Sequence, residues 1–463
     1  MVAQSAGNGC GQFSFDFLPD LPVVVQQHQG QISSDAGLLP LRQFDQRWNY
    51  TARMAQCLDD PNPDRDHSLL SMLRQRFFGI LAGYEDCNDH DTLRDDPVFK
   101  LVAGKLPEDE ALASQPTLCR FENLITPAVL QRLIDFNIAT GIERLKQKHG
   151  GQLPASIILD LDATDDPAHG NQQLTLFHGH YGQYQYFPLV ISEPATRHVF
   201  VAWLRHGTAH ASLGADDDLM RVVDALRKER PGIQIHVRAD AGFGLPLMYK
   251  TCEENGLSYT LGFSTNPRLR KRTEALMQRA VEQYELTKQK ARLFECFQYQ
   301  CDSWEHPRIV IAKAECHAGG TNLRFVVTNL PAAPTPDDWP SDPVARLIYD
   351  DYTQRGESEH RMDELKNGLH TDRLSCHRFM ANFFRLLLHT AAFNLFNAVR
   401  DSDQLPQVLR VGQPCTWRLR LIKVAAEIVQ STRRIVVKLA ANWPWRDLYE
   451  SVAARALAFS SSP

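Results

Sequence analysis

Ala155-Ser-Ile-Ile-Leu-Asp160-Leu-Asp162 is the stretch from which the rest of the chain is read. Its β-branched and aliphatic residues predict a buried strand. Its two carboxylates, at a period of two, leave that strand on the same face. Downstream, residues 174–186 are rich in Tyr, Phe, His and Gly, and lead into apolar runs at 187–191 and 198–204. These are expected to continue the first strand as one meander. Residues 216–230 then place Leu219, Val222, Val223 and Leu226 on the inner face of an amphipathic helix, which Pro231-Gly232 breaks. A strand is expected at 233–240, a turn at Ala241-Gly242-Phe243-Gly244 and a helix at 245–254.

Three antiparallel strands, a helix, a strand and a further helix are the element order of a ribonuclease H-like core. The expected fold class is therefore α/β. The catalytic core would comprise residues 151–256 and 344–400, interrupted by a β-rich insertion domain over 257–343. The insertion is read from strand patterns at 259–263, 293–300, 309–314 and 324–328, followed by a Pro-rich connector at 331–343. Residues 1–150 read as a mainly helical domain, with a short strand at 21–26, packed helices at 67–83 and 126–148, and a polar connector at 85–96. Long helices are expected at 345–369 and 377–398, and a basic helical region at 401–463.

At 463 residues the chain exceeds a single compact core. No apolar run approaches the length of a membrane span, and the first 17 residues lack the pattern of a secretory signal. Ten scattered cysteines without a CxxC pair fit a reducing compartment, so a cytoplasmic location is expected. The net charge of −5 argues mildly against a nucleic-acid partner, but nucleic acid responds to local patches. Residues 268–292 carry eight Lys/Arg against three Glu, and residues 410–438 carry seven against the single Glu427. Taken alone, either segment reads more readily as a solvated face.

Two-metal phosphoryl transfer needs several carboxylates converging on divalent ions, with rigid elements to hold them. Asp160 and Asp162 close one expected strand and Asp240 closes another, although an Asp in such a place is commonly only a cap or turn former. A third element is less easily accidental. On one continuous helix turning about 100° per residue, Tyr352, Arg355, Glu359 and Lys366 fall within roughly a 60° stripe. Glu357 and Glu364 lie well off it, whereas Asp363 lies close. Such a stripe is either a salt-bridged ridge or a metal-binding Glu359 flanked by phosphate-gripping cations.

Tyr352-(2)-Arg355-(3)-Glu359-(6)-Lys366 resembles, at the same spacing, the YREK signature of bacterial insertion-sequence DDE transposases. Asp162-Ala-Thr resembles that family's first motif, and Arg238-Ala-Asp240-Ala-Gly-Phe its second. The intervals of 78 and 119 residues keep the family's order, the longer one falling where such enzymes carry an insertion. Asp162 through Gly170, Ser33 through Leu39, Gly83-Tyr84-Glu85-Asp86 and Ser114-Gln115-Pro116-Thr117 resemble one subgroup.

The resemblance implies cut-and-paste transposition by a nucleoid-associated bacterial enzyme, with hydrolysis at each transposon end, a hairpin intermediate and joining to target DNA. It implies Asp162, Asp240 and Glu359 as catalytic ligands of Mg²⁺, for which Mn²⁺ can substitute, with Asp160 and Asp363 as alternatives. It further implies Tyr352, Arg355, Lys366 and, from the insertion, Trp304 as DNA contacts, and DNA binding by the N-terminal domain. The partners would be terminal inverted repeats, target DNA and a second copy of the chain. Taken alone, Trp304 and Trp339 each read more simply as a loop or core aromatic, Arg385 as a salt-bridge former, and Arg418, Arg420, Lys423, Arg433 and Arg434 as phosphate or partner contacts. His169, His178 and His180 suit a polar hairpin better than a zinc site, and Cys296, Cys301 and Cys316-His317 suit ordinary strands. The rival readings are a non-catalytic DNA-binding protein, a ribonuclease H-like nuclease without strand transfer, and a phosphohydrolase acting on small molecules.

Overall fold

The opening run becomes β1, Ser156–Ala163, at the heart of an eight-stranded sheet. The computed structural model describes residues 13–458 except 16, 18–20, 22, 27–29, 63, 64, 337, 338 and 403. The other strands of the sheet are β2 (Leu189–Glu193), β3 (His198–Trp203), β4 (Gln234–Ala239), β5 (Ser258–Phe263), β6 (Ala291–Tyr299), β7 (Arg308–His317) and β8 (Gly320–Thr328). Their order is β6-β7-β8-β5-β4-β1-β2-β3. β1, β4 and β5 run parallel, and every other pairing is antiparallel. β1 to β3 thus form an antiparallel meander, and β4 and β5 extend it on the other side of β1.

Helices cover this sheet because its central strands are buried along nearly their whole length. In chain order the helices that matter here are α1 (Leu69–Ala82), α2 (Gln115–Asn123), α3 (Pro127–Lys148), α4 (Ala215–Glu229), α5 (Pro246–Glu254), α6 (Pro343–Thr353), α7 (Gly356–Asp363) and α8 (Phe379–Arg400). Ser68 caps α1 through its side chain, and Gly83 ends it in the left-handed region at φ 90°. Thr126 caps α3, and Pro127 sits in its first turn. α8 is largely apolar and buried almost throughout, its polar residues such as Arg385 and Asn394 included; it packs on α1, α2, α3 and β3. α6 packs on β5, β6 and β7.

Four expectations change. Residues 174–186 do not join the meander: Leu176–His178 and Gln183–Tyr186 form a small sheet with Asp166–Pro167. Phe177, 52% exposed, and Tyr184, 61% exposed, face outward there and do not form a core strand face. Residues 291–328 do not build a detached sheet, because β8 pairs with β5 and carries β7 and β6 onto the edge of the same sheet. The helix expected over 345–369 is broken into α6, α7 and a π-helical turn, Glu364–Gly368. Gly356, a poor helix former, marks the break. The C-terminal region is not purely helical: Ala426–Gln430 and Ile435–Leu439 pair with each other, and the first also pairs with Gln31–Ser33. Near the start, the strand expected at 21–26 is Val23–Val25, and the 85–96 connector holds a short helix, His90–Leu93.

Candidate active site

Strand register creates the site. β4 lies parallel to β1 with Arg238 opposite Asp160 and Ala239 opposite Leu161. Carried on by one residue, this register sets Asp240 beside Asp162, about 5 Å away between strands. Asp162 accepts a hydrogen bond from the Ala163 amide at 2.9 Å, and Asp240 one from the Gly242 amide at 2.8 Å. The Asp240 turn sits against β5 closely enough to require glycine there. A Cβ on Gly262 would come within 2.6 Å of the Ala241 nitrogen, 2.9 Å of the Asp240 carbonyl carbon and 2.9 Å of the Tyr352 hydroxyl.

Asp160 shares the strand face of Asp162 but is engaged elsewhere. Its fully buried carboxylate lies between Arg238 (Nε–Oδ1 2.8 Å, Nη2–Oδ2 3.1 Å) and Arg361 (Nη2–Oδ2 2.5 Å). Arg238 also donates to the Asp351 carbonyl oxygen of α6 at 2.8 Å.

Arg355 links the first acidic motif to the third. Its Nη1 is 3.4 Å from Asp162 Oδ2 and its Nη2 is 3.8 Å from Glu359 Oε1. Burial works against its charge, but Tyr352, Asp162 and Asp240 together raise its pKa above the ordinary arginine value. Tyr352 is packed beside it, with the Arg355 guanidinium carbon 5.9 Å from the ring centre. Burial raises the Tyr352 phenol pKa, Asp240 and Asp162 add to the rise, and Arg355 opposes it. Lys366 Nζ donates to Asp165 Oδ1 at 2.9 Å and to its carbonyl oxygen at 2.8 Å. The side chain of Glu359 is 73% exposed and is tied to the Asp162 side through Arg355. Among the described residues no three His, Cys, Asp or Glu side chains converge closely enough to hold a metal ion. Asp363 faces solvent and accepts from Asn367 Nδ2 at 2.5 Å.

Several expected DNA contacts lie elsewhere. Trp304 is only 5% exposed and packs edge-on to Tyr249 at 5.4 Å, against Phe263 at 5.2 Å and beneath Arg308. It is a core aromatic, sealed by its own neighbours, and offers no face to a nucleotide. Trp339 is more open, at 39%. Arg418 donates to the Leu81 and Ile80 carbonyls at the end of α1, and Lys423 pairs with Asp35 at 2.6 Å, so both serve the fold. Arg420 stacks over Trp445, while Arg433 and Arg434 are exposed in the turn between the two C-terminal strands. Arg385 makes the expected salt bridge, to buried Glu122 at 2.7 Å. In the basic segment, Arg268, Arg272, Lys290 and Arg292 pair with Asp302, Glu295, Glu315 and Asp350.

Sequence reasoning passed over Arg361, Gly262 and Tyr181. Tyr181 lies in the small-sheet hairpin; burial raises its phenol pKa, and the charges of Asp165, Asp240 and Asp162 raise it further. A signal existed only for Arg238, the partner of Asp160, which stands two residues before Asp240.

Residues 15–460 match the family described as Transposase DDE domain group 1. The chain belongs to this DDE transposase family. No curated protein matches the transposase chain. Among solved structures it is similar to one titled "Cryo-EM structure of piggyBac transposase synaptic complex with hairpin DNA". That similarity has a TM-score of 0.39 at 12% identity and covers 94% of this DDE transposase and 85% of that chain. Among the described residues, no helix of the transposase is long and apolar enough to cross a membrane.

Proposed function

We propose that this DDE transposase cuts DNA at the terminal inverted repeats of a bacterial insertion sequence and joins the freed ends to target DNA. The observation that carries the reading is that Asp162 and Asp240, which follow paired residues of two parallel strands, both act on Arg355, which also lies 3.8 Å from Glu359. The β3-β2-β1-β4-β5 order supports a ribonuclease H-like core.

Asp162, Asp240 and Glu359 would supply an all-oxygen donor set, of a chemistry that suits Mg²⁺ or Mn²⁺, once Glu359 is brought onto the other two. When bound, a pair of such ions activates the attacking oxygen and stabilises the leaving one. Asp162 and Asp240 hold their side of the site on rigid strands, each fixed by a backbone amide. Glu359 completes the set by closing from α7. Arg355 keeps its charge in a half-buried place beside three carboxylates, and a DNA phosphate brought there exchanges with Asp162 as its partner. Lys366, anchored on Asp165, holds the loop after the first motif against the π-helical turn and offers a second cation to the DNA backbone. The reaction course through a hairpin, a pair of transposase chains in the DNA complex, DNA contacts by the N-terminal helical region and a nucleoid-associated location belong to the same proposal.

Donor cleavage in Mg²⁺ or Mn²⁺ on DNA carrying the element's own ends tests the reading. Asp162→Ala, Asp240→Ala and Glu359→Ala are each expected to abolish cleavage while DNA binding persists; normal cleavage by any of the three overturns the assignment. Strand transfer from a pre-cleaved end separates a transposase from a nuclease of the same fold, which would leave that end unjoined.

A further inference from the structure

The helix that carries Glu359 is scarcely packed. Of the described side chains in α7, only Arg361 and Met362 are buried. Arg361 stands two residues beyond Glu359, about 200° around the helix, so the two point in opposed directions. Its exposure of 5%, against 73% for the Glu359 side chain, agrees with that geometry. Arg361 meets Asp160, and Asp160 also holds Arg238, which reaches back to the α6 backbone at Asp351. A single buried carboxylate therefore connects β1, β4, α6 and α7. Three of these carry the carboxylates of the proposed site: Asp162 on β1, Asp240 at the end of β4 and Glu359 on α7.

We infer that Asp160 and Arg361 are positioning residues, an ionic pin that fixes the Glu359 helix to the two strands bearing Asp162 and Asp240. Asp160 touches no reacting atom in this arrangement, since both its oxygens are held by guanidinium groups. One guanidinium would balance its charge; two from different elements give it a geometry to enforce. Arg361 is the more telling partner because α7 has so little apolar burial to hold it otherwise. Loss of the pin leaves α7 attached through Met362 and the following π-helical turn, which frees Glu359 to wander while the strands stay in place.

This rests on the proposed site, and the test distinguishes failure of the two. Fe²⁺ is supplied in place of Mg²⁺, with ascorbate and hydrogen peroxide, so that radicals cut the backbone near bound iron, and the fragments are mapped by mass spectrometry. The wild-type chain is expected to be cut near residues 162, 240 and 359. Arg361→Met is expected to keep the first two cuts and lose the third. Its single-turnover DNA cleavage should fall about 100-fold with DNA affinity unchanged, the scale expected when a group is displaced by about 1 Å. Arg361→Lys, which keeps a cation against Asp160 but not the paired guanidinium geometry, is expected to restore only part of the cut near 359 and part of the rate; if Arg361→Met fails to fold, that weakened 359 cut beside intact cuts at 162 and 240 carries the inference. No cuts near 162 and 240 in the wild-type chain would overturn the proposed site itself. Intact cuts at all three places in whichever Arg361 variants fold would overturn the pin alone.

Discussion

Asp162 and Asp240 leave strands bonded on both edges in the middle of an eight-stranded sheet, whereas Glu359 leaves an eight-residue helix of whose described side chains two are buried. Ladder hydrogen bonds and buried Leu159, Leu161, Val237 and Ala239 fix the strand pair. The helix has no comparable apolar anchor and leans on Arg361–Asp160 and Arg355–Asp162 instead. The difference teaches that half of the proposed site is built with the fold and half is set by ionic contacts. Such a division suits an enzyme whose substrate must enter between the halves.

The sharpest way to break this comparison is to titrate Mn²⁺ into charge-neutral variants. Asp162→Asn or Asp240→Asn is expected to lower donor cleavage by on the order of 10³-fold or more and to remove Mn²⁺ binding measured by calorimetry. Glu359→Gln is expected to lose cleavage as well but to retain weakened Mn²⁺ binding on the strand pair. Equal loss of binding in all three would show that the helix is as much a part of the preformed site as the strands. Chelation of the divalent ion should stop cleavage in the wild-type chain and leave DNA binding in place.

A second Arg–carboxylate–Arg set offers a measure of what such clusters contribute. Glu122 on α2, fully buried, lies 2.8 Å from Arg76 of α1 and 2.7 Å from Arg385 of α8. Burial favours its neutral form, but Arg385 and Arg76 prevail and bring its pKa down from 4.5 to about 2. A depressed carboxyl pKa contributes stability above the unfolded value and loses it as pH falls. The contribution of Glu122 is therefore present above pH 4.5 and fades as pH drops toward about 2. Glu122→Gln should cost about 3–5 kcal/mol, since it leaves two buried guanidiniums without their carboxylate. Chemical denaturation across that pH window checks both statements: the variant should be less stable at neutral pH and should lose the wild-type slope. A much smaller cost would mean that the α1–α2–α8 layer is held by its apolar contacts, as the strands are.

Gly262 tests the strand half by steric means. Its missing Cβ admits the Asp240 turn and the Tyr352 hydroxyl, and two of the three close atoms are backbone, which cannot swing aside. Gly262→Ala is expected to cost about 1–3 kcal/mol in thermal unfolding and to reduce cleavage by more than that loss of folded protein explains. Unchanged stability would show that the Asp240 turn yields readily, contrary to the rigidity argued for the strands.

Most of the strand half was legible in the sequence because period-two burial and carboxylates at strand ends are local signals. Asp160 and Asp162 could not be separated in this way, because alternation places them on one face; only the guanidiniums of Arg238 and Arg361, 78 and 201 residues away, distinguish them. The two readings of Trp304, core aromatic or DNA contact, were open for a related reason: a strand-flanking aromatic carries no mark of whether Tyr249 and Phe263 will enclose it. The third element was read on one continuous helix, and the break at Gly356 removes the premise of that projection while leaving the motif spacing intact.

That break makes the choice between Glu359 and Asp363 the smallest and most exacting test. On a continuous helix both would fall near the Tyr352 stripe. In the structure Glu359 reaches Arg355, the cation that touches Asp162, whereas Asp363 accepts from Asn367 and faces solvent. Asp363→Ala is therefore expected to change donor cleavage by less than about twofold and stability by less than about 0.5 kcal/mol, as for a surface substitution away from special features. A large loss of cleavage in Asp363→Ala, with normal cleavage in Glu359→Ala, would mean that α7 and the π-helical turn rewind by a turn when DNA binds. The third carboxylate would then be Asp363, and Arg361 would release Asp160 in the active complex.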